Sequence, residues 1–134
     1  MTRLAERQLE IVLRNRVVFG VGSVARIPEL VVAAGGSRVF LVTDPGVDAS
    51  GVLAEVAGII DTAGIESMVF SQVEPNPSGS TIELGATFLR SFGLEGTIVV
   101  AVGSGSPMDA AKAIALRAAN DRPLWDLEYD GPDL

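Results

Sequence analysis

Apolar, β-branched runs alternate along this chain with stretches of helical periodicity. The runs that predict strands are 16–19, 38–43, 67–73 and 97–102. Run 38–43 is continuous, which is typical of a strand buried on both faces of a parallel sheet. Because strands and helices alternate, we predict parallel strands joined by right-handed crossovers, and therefore an α/β layer fold.

The stretches between these runs predict helices at 23–34, 50–63, 80–92 and 107–119. In the second stretch, apolar residues recur at i, i+3, i+4 and i+7, starting at Leu53. A proline disrupts a helix interior, so the first helix is expected to begin near Pro28.

Helix starts and turns carry their own sequence signals. Ser80–Glu83 has the spacing of a capping box and predicts the start of the third helix. Ser106 is a good N-cap, and Pro107 suits the first position of the last helix. Asp44-Pro45-Gly46 predicts a turn after the second strand.

Length and composition predict a single domain over 1–134, with an N-terminal extension at 1–15 and a tail at 121–134. Apolar residues make up 48% of the chain, which excludes a disordered protein. No apolar run is long enough to span a membrane, and the charged N-terminus leads into no signal-peptide core. We therefore expect a cytoplasmic protein without a membrane partner.

Two residue types are absent from the sequence, which contains no histidine and no cysteine. Within this chain, that excludes Ser-His-Asp triads, thiol nucleophiles and His-rich zinc sites. The net charge of -7 argues against a nucleic-acid partner, which needs a basic face. Any phosphate would have to be held by backbone amides and helix dipoles.

Polar loops follow three of the predicted strands, at 43–46, 75–77 and 103–106. Ligands of parallel α/β sheets bind beyond the carboxyl ends of the strands, so these loops are the candidate site. The loop 103–106 has two interpretations. It is either an anion cradle built from free amides at a helix start, or simply a well-capped helix with Asp109 balancing the dipole.

The standard glycine motifs of nucleotide-binding loops fit 103–106 poorly. It is not a P-loop, because no Gly-Lys-Ser/Thr follows Gly105, and Met108 stands where G-x-G-x-x-G needs its third glycine. The segment Gly20–Ala25 does fit G-x-G-x-x-A after a predicted strand. We interpret it mainly as a structural turn, with a pyrophosphate site as the alternative.

Individual polar residues at these loops also allow two interpretations. Asp44 either forms an Asx turn or accepts hydrogen bonds from ribose hydroxyls. Asn76 lies between two prolines as a turn residue or as an amide contact for a ligand. Asp109 and Lys112 have the spacing of a solvated i, i+3 pair.

Four segments occur in the order seen in iron-containing (group III) alcohol dehydrogenases: 18–23, 41–47, 75–78 and 102–112. The last is similar to the family form Gly-Gly-Gly-Ser-x-x-Asp-x-x-Lys. From about residue 16 to residue 130, the chain resembles the N-terminal nucleotide-binding half of these enzymes. The resemblance implies a Rossmann-like parallel sheet with helices on both faces, the N-terminal domain of a dehydroquinate synthase-like fold.

The resemblance also implies a set of cofactor-binding residues: Asp44, Asn76, Gly103, Ser104, Gly105, Ser106 and Asp109. Asp44 would bind the adenosine ribose and favour NAD over NADP, and Asn76 would lie near the cofactor. Gly105 and Ser106 would contact the pyrophosphate, and Asp109 would reach towards the nicotinamide. Ser104 replaces the family's middle glycine and adds a Cβ where backbone and phosphate meet.

The family's reaction is hydride transfer between a nicotinamide cofactor and an alcohol or aldehyde. A divalent metal, iron or zinc, polarises the substrate oxygen and is held by an aspartate and three histidines of a C-terminal helical domain. Since this chain has no histidine, we assign it no catalytic or metal-binding residue and expect it to be inactive alone. We expect a homo-oligomer, or packing against the missing helical domain.

Two other functions remain open on the sequence. One is a nucleotide-binding module with no chemistry of its own. The other is the cofactor half of an enzyme similar to glycerol dehydrogenases or dehydroquinate synthases, which share the fold.

Overall fold

The computed structural model describes residues 15–127. Its elements in chain order are α1 (Ile27–Ala33), β1 (Arg38–Val42), α2 (Pro45–Ser50), α3 (Val52–Thr62), β2 (Glu66–Phe70), α4 (Gly79–Phe92), β3 (Thr97–Ala101) and α5 (Gly105–Ala119). Short 3₁₀ helices precede α1 and follow α5. None of the helices within this part of the chain is long and apolar enough to cross a membrane.

The strands form a parallel sheet in the order β2-β1-β3, so the predicted α/β fold is confirmed. The central strand β1 is buried on both faces, as its continuous apolar run predicts. Phe40 and Val42 pack into a core with α4 and α5 on one face. Val39 and Leu41 pack into a second core with α1 and α3 on the other. Helices therefore cover both faces of the sheet.

A single threonine connects the carboxyl ends of the three strands. The Thr43 hydroxyl is completely buried and donates to the Val102 carbonyl at 2.7 Å. The Thr43 amide donates to the Phe70 carbonyl at 2.9 Å, and the Val73 amide donates to the Thr43 carbonyl at 3.3 Å. Because these bonds lie just beyond the last strand residues, they fix the loops that follow the strands.

The predicted strand at 16–19 is wrong. These residues have no regular secondary structure and pair with no strand in the described chain, and Phe19 is 99% exposed. A strand forms only where a neighbour completes its hydrogen bonds, and the described sheet consists of β2, β1 and β3 alone. The glycines of 20–25 consequently follow no strand, and they lead into a 3₁₀ helix.

The start of α4 lies before the predicted capping box at Ser80–Glu83. The N-cap is Ser78, whose hydroxyl accepts a hydrogen bond from the Thr81 amide at 3.3 Å. The backbone of Ser78 is extended, as an N-cap requires, whereas Ser80 already lies inside the helix.

The start of α5 also lies earlier than predicted, because Ser104 and not Ser106 is the N-cap. Ser106 lies within the first turn, and Pro107 one residue further on. Asp44 begins a short helix, α2, instead of a turn, with Pro45 at its first position. The start of α1 at Ile27, beside Pro28, agrees with the expectation from the proline.

The predicted domain bounds fall partly outside the described residues. Residues 1–14 of the extension and 128–134 of the tail are not described. Within the tail, Leu124–Leu127 form a 3₁₀ helix in which Leu127 is buried and Trp125 is 70% exposed.

We expect Thr43→Val to destabilise the fold by about 1–3 kcal/mol, because it leaves the buried Val102 carbonyl without its donor while conserving volume. Thr43→Ser keeps the hydroxyl and loses one methyl, so it should cost only about 0.8 kcal/mol. Urea unfolding of both variants tests the prediction. Equal stability of Thr43→Val and the wild type would contradict it.

Candidate functional site

A cleft of about 510 Å³ lies at the carboxyl ends of the strands. Its walls come from the loops after β1, β2 and β3, in agreement with the rule for parallel sheets. The lining residues are Asp44, Pro45, Gly46, Val73, Glu74, Pro75, Ser104 and Ser106. Of the predicted site residues, the structure thus brings Asp44, Ser104 and Ser106 to one cleft.

Asp44 is the N-cap of α2, and its Oδ1 accepts a hydrogen bond from the Val47 amide at 2.8 Å. This bond fixes the carboxylate at the mouth of the cleft. A Cβ on Gly46 would lie 3.1 Å from Asp44 Oδ1, so the glycine provides the room that the carboxylate occupies. Oδ2 accepts no hydrogen bond from residues 15–127, and the capping role is therefore compatible with a ligand at the second oxygen.

The N-terminus of α5 forms another part of the wall. The side chain of its N-cap, Ser104, makes no capping hydrogen bond, so the first amides of the helix are left for another partner. Pro107 has no N–H, and the donors at this end are the amides of Gly105 and Ser106. Nothing within 4 Å would obstruct a Cβ on Gly105, so the chain is open there.

Gly103 determines the shape of the loop between β3 and α5. Its φ of 137° is in the region that favours glycine. A Cβ would lie 2.9 Å from Pro107 Cγ and 3.3 Å from Val47 Cγ2, so a side chain would force α2 and α5 apart.

Asn76 does not line the cleft, but its backbone contacts a residue that does. Its φ is 53°, the one positive value among non-glycine residues of the described chain. The Asn76 amide donates to Ser106 Oγ at 3.3 Å. Since this oxygen already accepts a hydrogen bond, the Ser106 hydroxyl proton is available for an acceptor in the cleft.

Glu74, on the cleft wall, is the most strongly perturbed carboxyl among the described residues. Its Oε1 accepts from the Ser78 amide at 2.8 Å, and both its oxygens accept from the Thr81 hydroxyl, at 2.8 and 2.7 Å. These hydrogen bonds, with the Thr81 hydroxyl first, lower the pKa of Glu74 to about 2 from its ordinary 4.5.

Two predicted features lie away from the cleft. Asp109 is in the second turn of α5, largely exposed, with its carboxylate 3.9 Å from the Lys112 ammonium. That is the solvated i, i+3 pair, and a role for Asp109 towards a nicotinamide stays a prediction. The glycines of 20–25 do not line the cleft either.

Sequence reasoning did not assign Glu74 to the site, and it included Gly46 only as part of the loop 43–46. A signal for Glu74 was present in the sequence, since a carboxylate four residues before a capping serine can reach the amides of the coming helix. Gly46 gave no separate signal, because its role depends on where the Asp44 side chain points.

Comparison with known proteins shows which family the sequence resembles. The model of the iron-containing alcohol dehydrogenase family matches residues 14–133. Choline dehydrogenase from Bacillus subtilis (strain 168) is 39% identical over 109 residues, which are 81% of this chain and 27% of that protein.

Solved structures give the same result at the level of the fold. NADH-dependent butanol dehydrogenase A from Thermotoga maritima superposes with a TM-score of 0.76 and 32% identity, covering 87% of this chain and 30% of that one. Sulfoacetaldehyde reductase from Bifidobacterium kashiwanohense, solved in complex with NAD+, superposes with a TM-score of 0.72 and 30% identity. The match covers 83% of this chain and 28% of that one. The chain therefore spans about a third or less of these relatives.

We expect Glu74 to make the stability of the fold depend on pH. A carboxyl whose pKa is lower in the folded state stabilises that state fully above its unfolded pKa, here about 4.5, and loses this contribution as pH falls towards 2. The free energy of unfolding of the wild type should exceed that of Glu74→Gln at pH 6, and the difference should shrink at pH 3. An exposed control, Glu95→Gln, corrects for the loss of one charge. A difference that is the same at both pH values would contradict the prediction.

Proposed function

This chain belongs to the iron-containing alcohol dehydrogenase family, and we propose that it binds the dinucleotide cofactor NAD in the cleft at the carboxyl ends of its strands. The observation that carries the proposal is that Asp44 and the N-terminus of α5 line one cleft. A volume of about 510 Å³ is within the usual range for small-molecule sites.

The pyrophosphate is assigned to the start of α5. Free amides at the first turn of a helix attract an anion, and the dipole adds about 0.3–1 kcal/mol per charge. The amides of Gly105 and Ser106, with the Ser106 hydroxyl, would donate to the phosphate oxygens. Asp109 projects from the second turn and is exposed beside Lys112, so it does not crowd this position.

The adenosine ribose is assigned to Asp44. Its Oδ1 is held by the Val47 amide, which leaves Oδ2 to accept from a ribose hydroxyl. A 2′-phosphate would bring negative charge to the same place, where like charges about 4 Å apart cost about 1–4 kcal/mol. We therefore assign the site to NAD in preference to NADP.

For the complete enzyme, we propose hydride transfer between this cofactor and an alcohol or aldehyde. NAD would supply the hydride acceptor, while this chain would bind and orient it. In residues 15–127 no group of three or more His, Cys, Asp or Glu side chains is arranged to hold a metal ion. The residues present do not fit the family's metal, so we assign it no position here and expect no turnover by this chain alone.

Further contacts are expected on the apolar surface of the chain. Val99, Ala101 and Met108 belong to a shallow groove between β3 and α5, with a volume of about 310 Å³. Trp125 is 70% exposed beyond the end of α5. We propose that these surfaces pack against a second copy or against the remainder of a complete enzyme.

The assignment of the pyrophosphate is tested with Ser106→Ala. Loss of a hydrogen bond to a charged group costs about 1.5–3 kcal/mol, which is roughly a tenfold to hundredfold rise in the Kd for NAD. Stability should change little, because Ser104 and not Ser106 caps α5. Ser91→Ala is the matched control, since its hydroxyl donates to the Phe88 carbonyl within α4. Titration calorimetry gives the Kd for NAD of each variant, and an unchanged Kd in Ser106→Ala would remove the loop from the site.

The assignment of the ribose is tested with Asp44→Asn, which removes the charge but can still cap α2. We expect the wild type to prefer NAD over NADP by roughly fivefold to a thousandfold, and the variant to lose most of this preference. The measurement is the Kd of each cofactor at fixed salt, because screening changes the repulsion. Equal affinity of the wild type for both cofactors would show that Asp44 is only a cap.

A further inference from the structure

The second half of the loop between β2 and α4 is closed by a carboxylate from within the loop, that of Glu74. Glu74 accepts a hydrogen bond from the Ser78 amide at 2.8 Å, and its two oxygens accept from the Thr81 hydroxyl at 2.8 and 2.7 Å. The Ser78 hydroxyl in turn accepts from the Thr81 amide at 3.3 Å. We call this set, Glu74, Ser78 and Thr81, the carboxylate clamp.

The clamp restrains the three residues that it encloses. Pro75 and Pro77 each fix their own φ, and Asn76 between them has a φ of 53°. A positive φ is uncommon outside glycine, although asparagine tolerates it better than most residues. The ends of this segment are held by Glu74 and Ser78, so the direction of the Asn76 amide depends on the clamp.

The Asn76 amide connects the clamp to the cofactor cleft, because it donates to Ser106 Oγ at 3.3 Å. A serine in a helix can otherwise donate to the carbonyl four residues earlier, which here is Val102. That carbonyl already accepts from the Thr43 hydroxyl at 2.7 Å. The Ser106 oxygen thus accepts from the Asn76 amide, and the Ser106 hydroxyl proton has no acceptor among residues 15–127, which leaves it for one in the cleft.

The Glu74 carboxylate lines the cleft but is already engaged within its own loop. Both its oxygens accept from Thr81, and one of them also accepts from Ser78. An effect of Glu74 on a bound molecule would therefore pass through the backbone of 75–77.

We propose that Glu74 is a positioning residue of the dinucleotide site, which sets the orientation of the Ser106 hydroxyl towards the pyrophosphate through the Asn76 amide. This inference rests on the proposed NAD-binding function. It adds a residue that contacts no part of the cofactor and yet sets the affinity for its pyrophosphate.

The test breaks the clamp from both sides. Glu74→Gln replaces an acceptor for the Thr81 hydroxyl by an amide, and Thr81→Val removes the hydroxyl while conserving shape. Thr81→Ser retains the hydroxyl and serves as the conservative variant. Thr87→Val is the matched control, because Thr87 is exposed on the same helix and its hydroxyl donates to the Glu83 carbonyl at 2.9 Å.

We expect Glu74→Gln and Thr81→Val each to raise the Kd for NAD and for ADP-ribose roughly fivefold or more, about the value of one hydrogen bond. Adenosine lacks the pyrophosphate, so its Kd should stay within twofold of that of the wild type. Thr81→Ser and Thr87→Val should bind NAD like the wild type. The double variant, with Glu74→Gln and Thr81→Val together, should have a Kd for NAD no higher than the higher of the two single-variant values, since both changes break the same contact.

A second measurement does not need a ligand. In amide NMR spectra of the full chain, the Asn76 and Ser106 resonances should shift in Thr81→Val and remain unchanged in Thr87→Val. Unchanged resonances in Thr81→Val, or unchanged NAD affinity in both clamp variants, would overturn the positioning role. An equal loss of NAD and adenosine would overturn it too, because that indicates a general loosening of the cleft. A wild type that binds no NAD overturns the proposed function instead.

Discussion

The buried hydroxyl of Thr43 is the contact on which the arrangement of this molecule depends. It donates to the Val102 carbonyl, while the backbone of Thr43 bonds Phe70 and Val73. Three strands thus end in register at one edge of the sheet, and each continues into a loop of the cleft. A buried hydrogen bond whose loss leaves a carbonyl unpaired is costly to break, so the loops begin from a rigid base.

Beyond that base, two of the three loops are fixed by a carboxylate that bonds to a helix start. Asp44 Oδ1 holds the start of α2, and Glu74 holds the start of α4. The start of α5 is different, because its capping residue, Ser104, makes no side-chain cap. One helix N-terminus at this edge is therefore open to a ligand while two are closed by carboxylates, which explains why the anion is assigned to α5.

Sequence reasoning predicted the sheet because continuous apolar runs such as 38–43 are specific for buried parallel strands. It also brought Asp44 and Ser106 together, since parallel strands place their carboxyl ends at one edge. It failed where side-chain contacts decide between local signals. Ser78 and Ser80 both suit an N-cap, and in the structure Ser78 accepts from the Thr81 amide while its own amide donates to Glu74. At 16–19, a strand-like run has no strand in the described sheet to pair with.

The chain carries a net charge of -7, yet the site proposed for an anionic cofactor contains no Lys or Arg among the residues that line it. Asp44 and Glu74 even add negative charge to its walls. Attraction must then come from amide and hydroxyl dipoles, which are short-ranged and strongly dependent on direction. A charged side chain tolerates a displacement of its partner, whereas a hydroxyl must point at it. Such a site would make orientation its main requirement, and this is the physical reason for proposing a positioning role for a carboxylate that holds a loop in place.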